Sequence, residues 1–513
     1  MKYKATIGLE IHTELKTNSK MFCSCKNDPF HSKQNENICP VCLGMPGTLP
    51  VLNKQAIEWT IKTGLALNCK IGHPFPSGHS ERSEESRYPS VSPQDDILYT
   101  KWDRKNYFYP DLPKAYQISQ YDLPLCGEGY LEINPKSEAR NPKQIQNSNN
   151  QNSKRKIRIT RIHLEEDTGT LKHPEGRENV DYSLADYNRS GVPLMELVTE
   201  PDIETAQEAK EFCKEYQLIL RHLKISDADM EKGQMRCEAN ISIRKLSTIN
   251  NQLSTKLGTK VEVKNLNSFK AVEKAIEYEI ERQTEALESG DKIIQETRGW
   301  DDAKGKTYVM RIKETSADYR YFPEPDLPPV TLSKSYVEKL KSELPESRKE
   351  KIKRWISDYD LDQKSASLIA GDSMWTSEFE ERVPHTRYPK DLGTWIVNEP
   401  DFLDIPTVSS GTLVNYVHEG ELSRSAAKGI FLDLKQGKSP RDIIEEKGLK
   451  QISDGGELES IVDKILKENP DVVANIKAGK TQAIGFLVGL IMRETKGQAN
   501  PQIVNEIINK KIK

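Results

Sequence analysis

The alternation of apolar and polar positions predicts β-strands in the first part of the chain. Residues 7–12 (IGLEIH) place an apolar side chain at every second position, and residues 235–244 and 260–264 repeat this pattern. Because successive side chains of a strand point to opposite faces, each segment has one apolar face. Residues 268–290 instead carry apolar side chains at helical spacing, between a candidate serine N-cap and a candidate glycine stop. Strands and helices mix without a regular βαβ rhythm, which predicts an α+β fold.

The pattern becomes helical after a proline-rich segment at 318–329, whose four prolines enforce an extended path. The sequence therefore predicts a mixed-sheet domain at 1–330, an all-α domain at 331–440 and a C-terminal helical tail at 441–513. An asparagine cap followed by Pro501 marks the start of the last helix. The other predicted helices span 336–344, 346–359, 365–370, 423–436, 457–467 and 482–495.

Two segments without apolar periodicity are predicted to be insertions. The first runs from about 73 to 98 and is rich in Ser, Pro, Glu and Arg; the second runs from about 136 to 156 and contains a run of Asn and Gln. Neither can bury enough apolar surface to offset the entropy of ordering, so both are expected to be exposed, poorly ordered loops. A shorter loop is expected at 246–256.

The composition describes a polar chain that can still form hydrophobic cores. Charged residues make up 30% and hydrophobic residues 35% of the 513 residues, and the formal net charge is −3. A protein that is basic throughout is excluded, although a local basic surface is not. The longest apolar run, 484–492, is far shorter than the roughly 20 residues that span a bilayer. The N-terminus lacks the apolar segment of a signal peptide, so a cytoplasmic location is expected.

Four of the eight cysteines form two close pairs near the N-terminus. Their spacing within the polar loop 21–44 is typical of a structural zinc site, because four thiolates suit a closed tetrahedral ion. Free thiols or a redox pair remain as alternatives. The members of the set are Cys23, Cys25, Cys39 and Cys42, whereas Cys69, Cys126, Cys213 and Cys237 are scattered singly and are interpreted as small apolar residues.

Carboxylates and a histidine on three predicted strands indicate a second metal site. Glu10 and His12 share the polar face of the first strand, while Glu165 and Glu166 end another strand pattern just before a glycine. Glu196 lies in an apolar segment, so its strand should be central and its carboxylate should have a cation or a proton. Together these groups could hold Mg²⁺ with several retained waters. A half-exposed strand, a solvated turn and a structural ion pair are the ordinary alternatives.

Basic residues next to aromatic residues at 103–111 (DRKNYFYPD) suit a contact with a nucleobase or the end of a tRNA, although they also suit packing under a loop. Lys105 is the candidate phosphate clamp. No P-loop or dinucleotide-binding glycine pattern is present, so any ATP must bind in a less common architecture. From residue 477 onward the chain has seven basic residues and two acidic ones. This excess of positive charge fits either a solvated face or a contact with nucleic-acid phosphates.

Taken in order, these motifs resemble the B subunits of the aspartyl/glutamyl-tRNA amidotransferases. The likeness covers nearly the whole chain apart from the two insertions, and no extra domain like that of the archaeal glutamine-specific relatives is present. The motifs that carry it are 7–12 (IGLEIH), 39–47 (CPVCLGMPG), 103–111 (DRKNYFYPD), 114–120 (KAYQISQ), 163–167 (HLEED), 200–202 (EPD), 263–269 (VKNLNSF), 318–326 (DYRYFPEPD) and 497–501 (GQANP).

The resemblance implies a cytoplasmic ligase of three different subunits, in which the B-type chain works with an amidase partner and a small third partner. In that family the B-type chain has a cradle-like catalytic domain and uses ATP and Mg²⁺ to phosphorylate the side-chain carboxylate of mischarged Glu-tRNA(Gln) or Asp-tRNA(Asn). Ammonia from the amidase partner then displaces the phosphate. The helical C-terminal tail of the family grips the body of the tRNA. Which of the two tRNAs this chain serves is left open.

The resemblance also implies a role for each candidate residue. His12 and Glu166 match the direct Mg²⁺ ligands; the carboxylates that hold the metal's waters match Glu10, Glu165 and Glu196. Lys105 matches a lysine near the phosphate, and the four paired cysteines match the zinc site of those members that have one. Two other classes remain open at this stage, namely a non-catalytic zinc-bearing tRNA-binding module and a stand-alone metallohydrolase.

Overall fold

The computed structural model describes residues 3–74, 97–134, 154–172, 182–245, 257–312, 319–451, 455–477, 483–495 and 498–512. Most of both predicted insertions and the whole loop at 246–256 lie outside the described residues. The ends of the first insertion were predicted wrongly as loop, because His73–Pro74 and Ile97–Thr100 are paired strands. The predicted end of the second insertion, at about 156, is also wrong, because a strand begins at Arg155.

The described strands all lie in the first two-thirds of the chain. Strands β1 to β8 are Tyr3–Glu14, His73–Pro74, Ile97–Thr100, Asp103–Asn106, Tyr116–Ser119, Gly129–Ile133, Arg155–Glu166 and Thr170–Lys172. Strands β9 to β16 are Leu184–Asp186, Pro193–Thr199, Met235–Lys245, Val261–Leu266, Glu296–Asp301, Lys306–Ile312, Phe322–Pro323 and Val330–Ser333.

An eight-stranded sheet with the order β14-β13-β12-β11-β1-β10-β7-β6 forms the centre of this region. Its pairings are antiparallel except for the parallel pair β12 and β13. Because β1 pairs with β10 on one side and with β11 on the other, the predicted first strand lies in the middle of the sheet. Its alternate residues from Ala5 to Ile11 are buried in the core, which leaves Glu10 and His12 on the opposite face.

Among the described residues, the same unit contains the helices α1 (Lys54–Ala66), α2 (Ala206–His222), α3 (Phe269–Ser289) and α4 (Lys334–Ser342). The prediction for α3 is confirmed. The Ser268 hydroxyl accepts from the Ala271 amide at its start, and Gly290 ends it in the left-handed conformation with φ of 84°. Apolar residues of α1, α2 and α3 join the sheet's buried face in one large core, so the polar face of the sheet is the face open to a ligand.

The chain divides into two compact units, Met1–Pro345 and Glu346–Lys513. The sequence put the first boundary at 330. The first unit continues further because β16 pairs with β3 and α4 packs on α1. Further small sheets in this unit are β15-β4-β5, β16-β3-β2 and β8-β9.

The described part of the second unit is helical, as predicted. Helices α5 to α10 are Arg348–Tyr359, Gln363–Ile369, Ser373–Arg382, Pro389–Asn398, Thr407–His418 and Arg424–Gly429, and α11 to α16 are Phe431–Lys435, Pro440–Glu446, Gly455–Glu468, Pro470–Lys477, Ile484–Glu494 and Pro501–Ile512. Short 3₁₀ helices occupy Val383–His385 and Pro400–Asp404. The single helix expected at 423–436 is two helices that meet at Ile430.

In the described part of this unit, hydrophobic side chains form two clusters. One joins side chains from Trp355 to Ile444, and the other joins side chains from Leu458 to Ile512. The separate tail domain beginning near 441 stays a prediction. Among the described residues, no helix has both the length and the apolar character needed to cross a bilayer.

Candidate functional site

A row of three polar residues crosses the polar face of the central sheet. The strand register places His12 of β1 opposite Glu196 of β10, and Glu196 opposite His163 of β7. The Nε2 atoms of both histidines lie 3.3 Å from Glu196 Oε2. Glu196 is buried on a central strand, as predicted from its apolar neighbours. Antiparallel pairing thus brings together groups that are far apart in the sequence.

Glu165 completes this cluster from the end of β7. Its Oε1 atom lies 3.8 Å from His12 Nε2, and its Oε2 atom accepts from the Ser119 hydroxyl at 3.1 Å. One ligand atom each from His12, Glu165 and Glu196 lies within 4.8 Å of the other two. An imidazole nitrogen and two carboxylate oxygens at this spacing can face one cation. We call these three residues the carboxylate–histidine cluster.

Opposite charges set the protonation of the cluster. Burial lowers the pKa of His12, but the carboxylates of Glu196 and Glu165 outweigh it and raise that pKa to about 9. Burial of Glu196 opposes its ionisation, yet His163 and His12 hold its pKa well below the usual value. Without a metal, protonated imidazole therefore neutralises the carboxylates. A cation that binds here must displace that proton.

His163 is a member of this constellation that the sequence analysis did not single out as a site residue. It is buried beside Glu196, and its Nδ1 atom is buried with no hydrogen-bond partner in the described structure. A signal was present, because His163 precedes Glu165 by two positions and must share its face of the strand.

Glu166 lies on the other face of β7 and is not brought together with His12. Its carboxylate forms a buried ion pair with Lys114 and accepts the Ile118 amide at 3.1 Å. Glu166 and Lys114 line a small cavity of about 190 Å³ next to the cysteine loop. The alternation of side chains along a strand explains why adjacent glutamates face different surroundings.

Glu10 lies on the cleft face but belongs to a neighbouring carboxylate group. Ligand atoms of Glu10, Glu238 and Glu262 lie within 4.8 Å of one another. The Asn240 amide donates to Glu10 at 2.8 Å, and Lys264 Nζ lies 2.8 Å from Glu238. These partners already offset part of the negative charge of the group.

Lys105 reaches the cluster from β4. Its Nζ atom lies 3.9 Å from Glu165 Oε2. Burial lowers the pKa of Lys105, but the charges of Glu165 and Glu196 outweigh this effect and raise the pKa. The ammonium also lies 5.3 Å from the centre of the Tyr319 ring. Lys105 is therefore charged at neutral pH.

A cleft of about 820 Å³ opens over these groups. Its floor includes His12 and Glu196, and its rim carries Tyr319, Arg320 and Tyr321 of the segment 318–326. Arg320 has a φ of 45°, a conformation that costs energy in a non-glycine residue and is enriched at functional sites. The aromatic rim, the basic groups and the acidic floor suit a phosphorylated ligand with a metal ion.

The four cysteines of the N-terminal loop lie close together, as predicted. One sulfur atom of each of Cys23, Cys25, Cys39 and Cys42 lies within 4.8 Å of the other three, which fits a tetrahedral zinc site. A hydrogen bond from Cys23 to Cys42 lowers the pKa of the Cys42 thiol to about 5. The other four cysteines are buried in the hydrophobic core, as expected.

Comparisons with known proteins agree with this architecture. The family model for the GatB/GatE catalytic domain matches residues 5–76 and 96–338, and the model for the GatB domain matches residues 378–512. The B subunit of the aspartyl/glutamyl-tRNA(Asn/Gln) amidotransferase of Caldanaerobacter subterraneus subsp. tengcongensis is 44% identical over 524 residues, with both chains fully covered. The proteins of that name from Thermodesulfovibrio yellowstonii and Thermotoga sp. (strain RQ2) are 44% and 45% identical, over 100% and 99% of each chain.

The fold and the matches place the chain in the class of proteins with a GatB/GatE catalytic domain. Within that class, it belongs to the family of aspartyl/glutamyl-tRNA(Asn/Gln) amidotransferase B subunits. This membership favours the amidotransferase over the tRNA-binding module and the stand-alone metallohydrolase that the sequence left open.

Proposed function

We propose that this chain phosphorylates the side-chain carboxylate of Glu-tRNA(Gln) or Asp-tRNA(Asn) with ATP and Mg²⁺, in a cytoplasmic complex with an amidase partner and a small third partner. The observation that carries the proposal is the convergence of His12, Glu165 and Glu196 next to a cleft that His12, Glu196 and Lys105 line. Family membership supplies the substrates, and the cluster supports the metal-dependent step.

The chemistry explains why the reaction needs ATP. A carboxylate is a poor acceptor for ammonia because its carbonyl carbon carries little positive charge. One carboxylate oxygen attacks the γ-phosphorus, the bond from that phosphorus to the ADP oxygen breaks, and an acyl phosphate forms. Ammonia from the amidase partner then attacks the carbonyl carbon, the bond from that carbon to the phosphate oxygen breaks, and the nitrogen releases one proton to water. Such transfers need positioning and charge neutralisation more than covalent help from the protein.

Two sets of Mg²⁺ ligands can be compared, one that includes Glu165 and one that includes Glu166, and the first fits the ion better. Glu165 and Glu196 offer the oxygen atoms that Mg²⁺ prefers, and His12 offers one nitrogen, at separations that leave room for waters. When bound, the ion would neutralise charge on the transferring phosphoryl group. We therefore assign the metal to His12, Glu165 and Glu196. Glu166 is engaged by Lys114 and would hold the end of β7 in place.

The remaining residues have consistent roles. Lys105 would contact a transferring phosphate, because its charged group adjoins Glu165 at the cleft. Cys23, Cys25, Cys39 and Cys42 would hold a structural zinc ion in the loop next to the end of β7. The C-terminal helices, which end in Lys510 and Lys511, would contact the tRNA body.

The test reconstitutes the full chain with its two partner proteins and supplies each mischarged tRNA with ATP labelled at the γ-phosphate. We expect Glu196→Ala to lower formation of the phosphorylated aminoacyl-tRNA about a thousandfold, because a buried metal ligand is lost. Binding of the tRNA should persist. Glu200→Ala is the matched control, since Glu200 follows the same strand but bonds to Thr160. Unchanged phosphorylation by Glu196→Ala would contradict the proposal.

A further inference from the structure

Arg161 lines the cleft but takes part in none of the interactions described above. The register places it on β7 opposite Val198 of β10, which in turn lies opposite Glu10 of β1. This row is adjacent to the row of His12, Glu196 and His163. Arg161 lines the same cleft as His12 and Glu196. Its guanidinium group therefore belongs to the wall of the candidate site.

The guanidinium of Arg161 has no partner within the part of the chain that the structure describes. Its Nε atom is buried without an acceptor, and no ion pair or hydrogen bond involves its other nitrogen atoms. The arginines earlier on β7 differ. Arg158 binds both carboxylate oxygens of Asp202 at 2.7 and 2.9 Å, and Arg155 bonds to Glu208 at 2.8 Å.

An unpartnered charged group is costly to bury, so a free arginine in a cleft indicates that a ligand completes it. The nearby acids are already engaged, because Glu196 faces two histidines and Glu165 faces Ser119 and Lys105. The guanidinium presents a fixed fork of donors that matches phosphate oxygens and remains charged at every physiological pH.

We propose that Arg161 binds the phosphate chain of the nucleoside triphosphate consumed at this site. This inference rests on the proposed function, because it assigns the ligand of the same cleft. The arginine lies one row along the sheet from the carboxylate–histidine cluster, where a metal-bound polyphosphate would pass. Lys105 and Arg161 would thus hold the chain from two different sheets of the first unit.

The experiment compares Arg161→Gln and Arg161→Lys with Arg158→Gln in the complete three-protein complex. Arg158 is the matched control because it lies on the same strand and its charge is already paired. The measurements are the KM for ATP, inhibition by inorganic tripolyphosphate, and the Kd for uncharged tRNA. We expect Arg161→Gln to raise the KM for ATP and the inhibition constant of tripolyphosphate roughly 10- to 100-fold, the value of a charge-assisted hydrogen bond.

Arg161→Lys should show a smaller rise, because it keeps the charge and loses the fork. It also serves as the test if the glutamine variant fails to assemble, which thermal unfolding would reveal. Arg158→Gln should match the native complex. An unchanged KM for ATP in both Arg161 variants would overturn the assignment. So would a weaker Kd for tRNA with unchanged ATP and tripolyphosphate values, since the arginine would then bind tRNA phosphates. Failure of the proposed function would look different, because the native complex itself would lack phosphorylation.

Discussion

The two candidate metal sites of the first unit are built in opposite ways. The cysteine site draws its four ligands from residues 23–42, in a segment with little regular structure. The carboxylate–histidine cluster draws its ligands from β1, β7 and β10, which lie far apart in the sequence and meet in the central sheet. The first site would depend on a metal to fix its loop, whereas the second is positioned by the strands of the central sheet.

The largest expected effect separates Glu165 from Glu166. Glu165→Gln should lower phosphorylation of the aminoacyl-tRNA about a thousandfold and raise the Mg²⁺ concentration needed, because it removes a charge that faces His12. Glu166→Gln should leave the Mg²⁺ requirement near that of the native chain, because its carboxylate faces Lys114 instead. The measurement is ATP-dependent phosphorylation across a Mg²⁺ titration. An equal or larger Mg²⁺ shift in Glu166→Gln would restore the ligand set implied by the family resemblance.

The second prediction concerns the cysteine site. Cys39→Ala should abolish stoichiometric zinc binding and lower the free energy of unfolding by several kcal/mol, because structural zinc contributes folding free energy directly. Zinc content by metal analysis and urea unfolding measure the two effects. The Mg²⁺ requirement of the enzyme should not move, since Cys39 does not belong to the carboxylate–histidine cluster.

Cys213→Ala is the control for this experiment, because Cys213 is a buried core thiol outside the cysteine site. It should retain one zinc ion per chain. If Cys39→Ala keeps its zinc, the four sulfur atoms are not the ligands. If it loses zinc without any loss of stability, the site is not structural.

The contrast also explains what could be predicted from the sequence. The cysteine site was visible from spacing alone, because its ligands are near neighbours in the chain. The α+β class and helix α3 followed from periodicity and caps. The meeting of Glu196 with His12 did not follow, because strand order and register depend on pairings that are distant in sequence.

Strand alternation contained more information than the sequence analysis used. Once Glu165 is placed on the cleft face, the two-residue period puts His163 there and puts Glu166 on the opposite face. The family resemblance pointed instead to Glu166. Arg161 could not be assigned this way, since its lack of an acceptor is a property of the folded structure.

The smallest expected effect tests charge crowding near the cluster. Glu14 ends β1 and is buried; burial and the nearby charge of Asp167 raise its pKa to about 8, against the opposing effect of Arg236. Below pH 4.5 the group is protonated in both the folded and the unfolded chain and contributes nothing. Between pH 4.5 and 8 the unfolded chain loses this proton while the folded chain keeps it, so stability falls as the pH rises.

Glu14→Gln should remove this penalty and raise the free energy of unfolding by roughly 4 kcal/mol at most at about pH 8, with no difference from the native chain near pH 4. Urea unfolding at the two pH values measures the effect. Glu338→Gln, on an exposed part of α4, should change stability little at either pH. A loss of stability at the higher pH would mean that Glu14 is ionised in the folded chain and stabilised by Arg236. The negative charges of Glu14 and Asp167 would then be balanced by Arg236, and the sheet would hold this pair of carboxylates without a cost in stability.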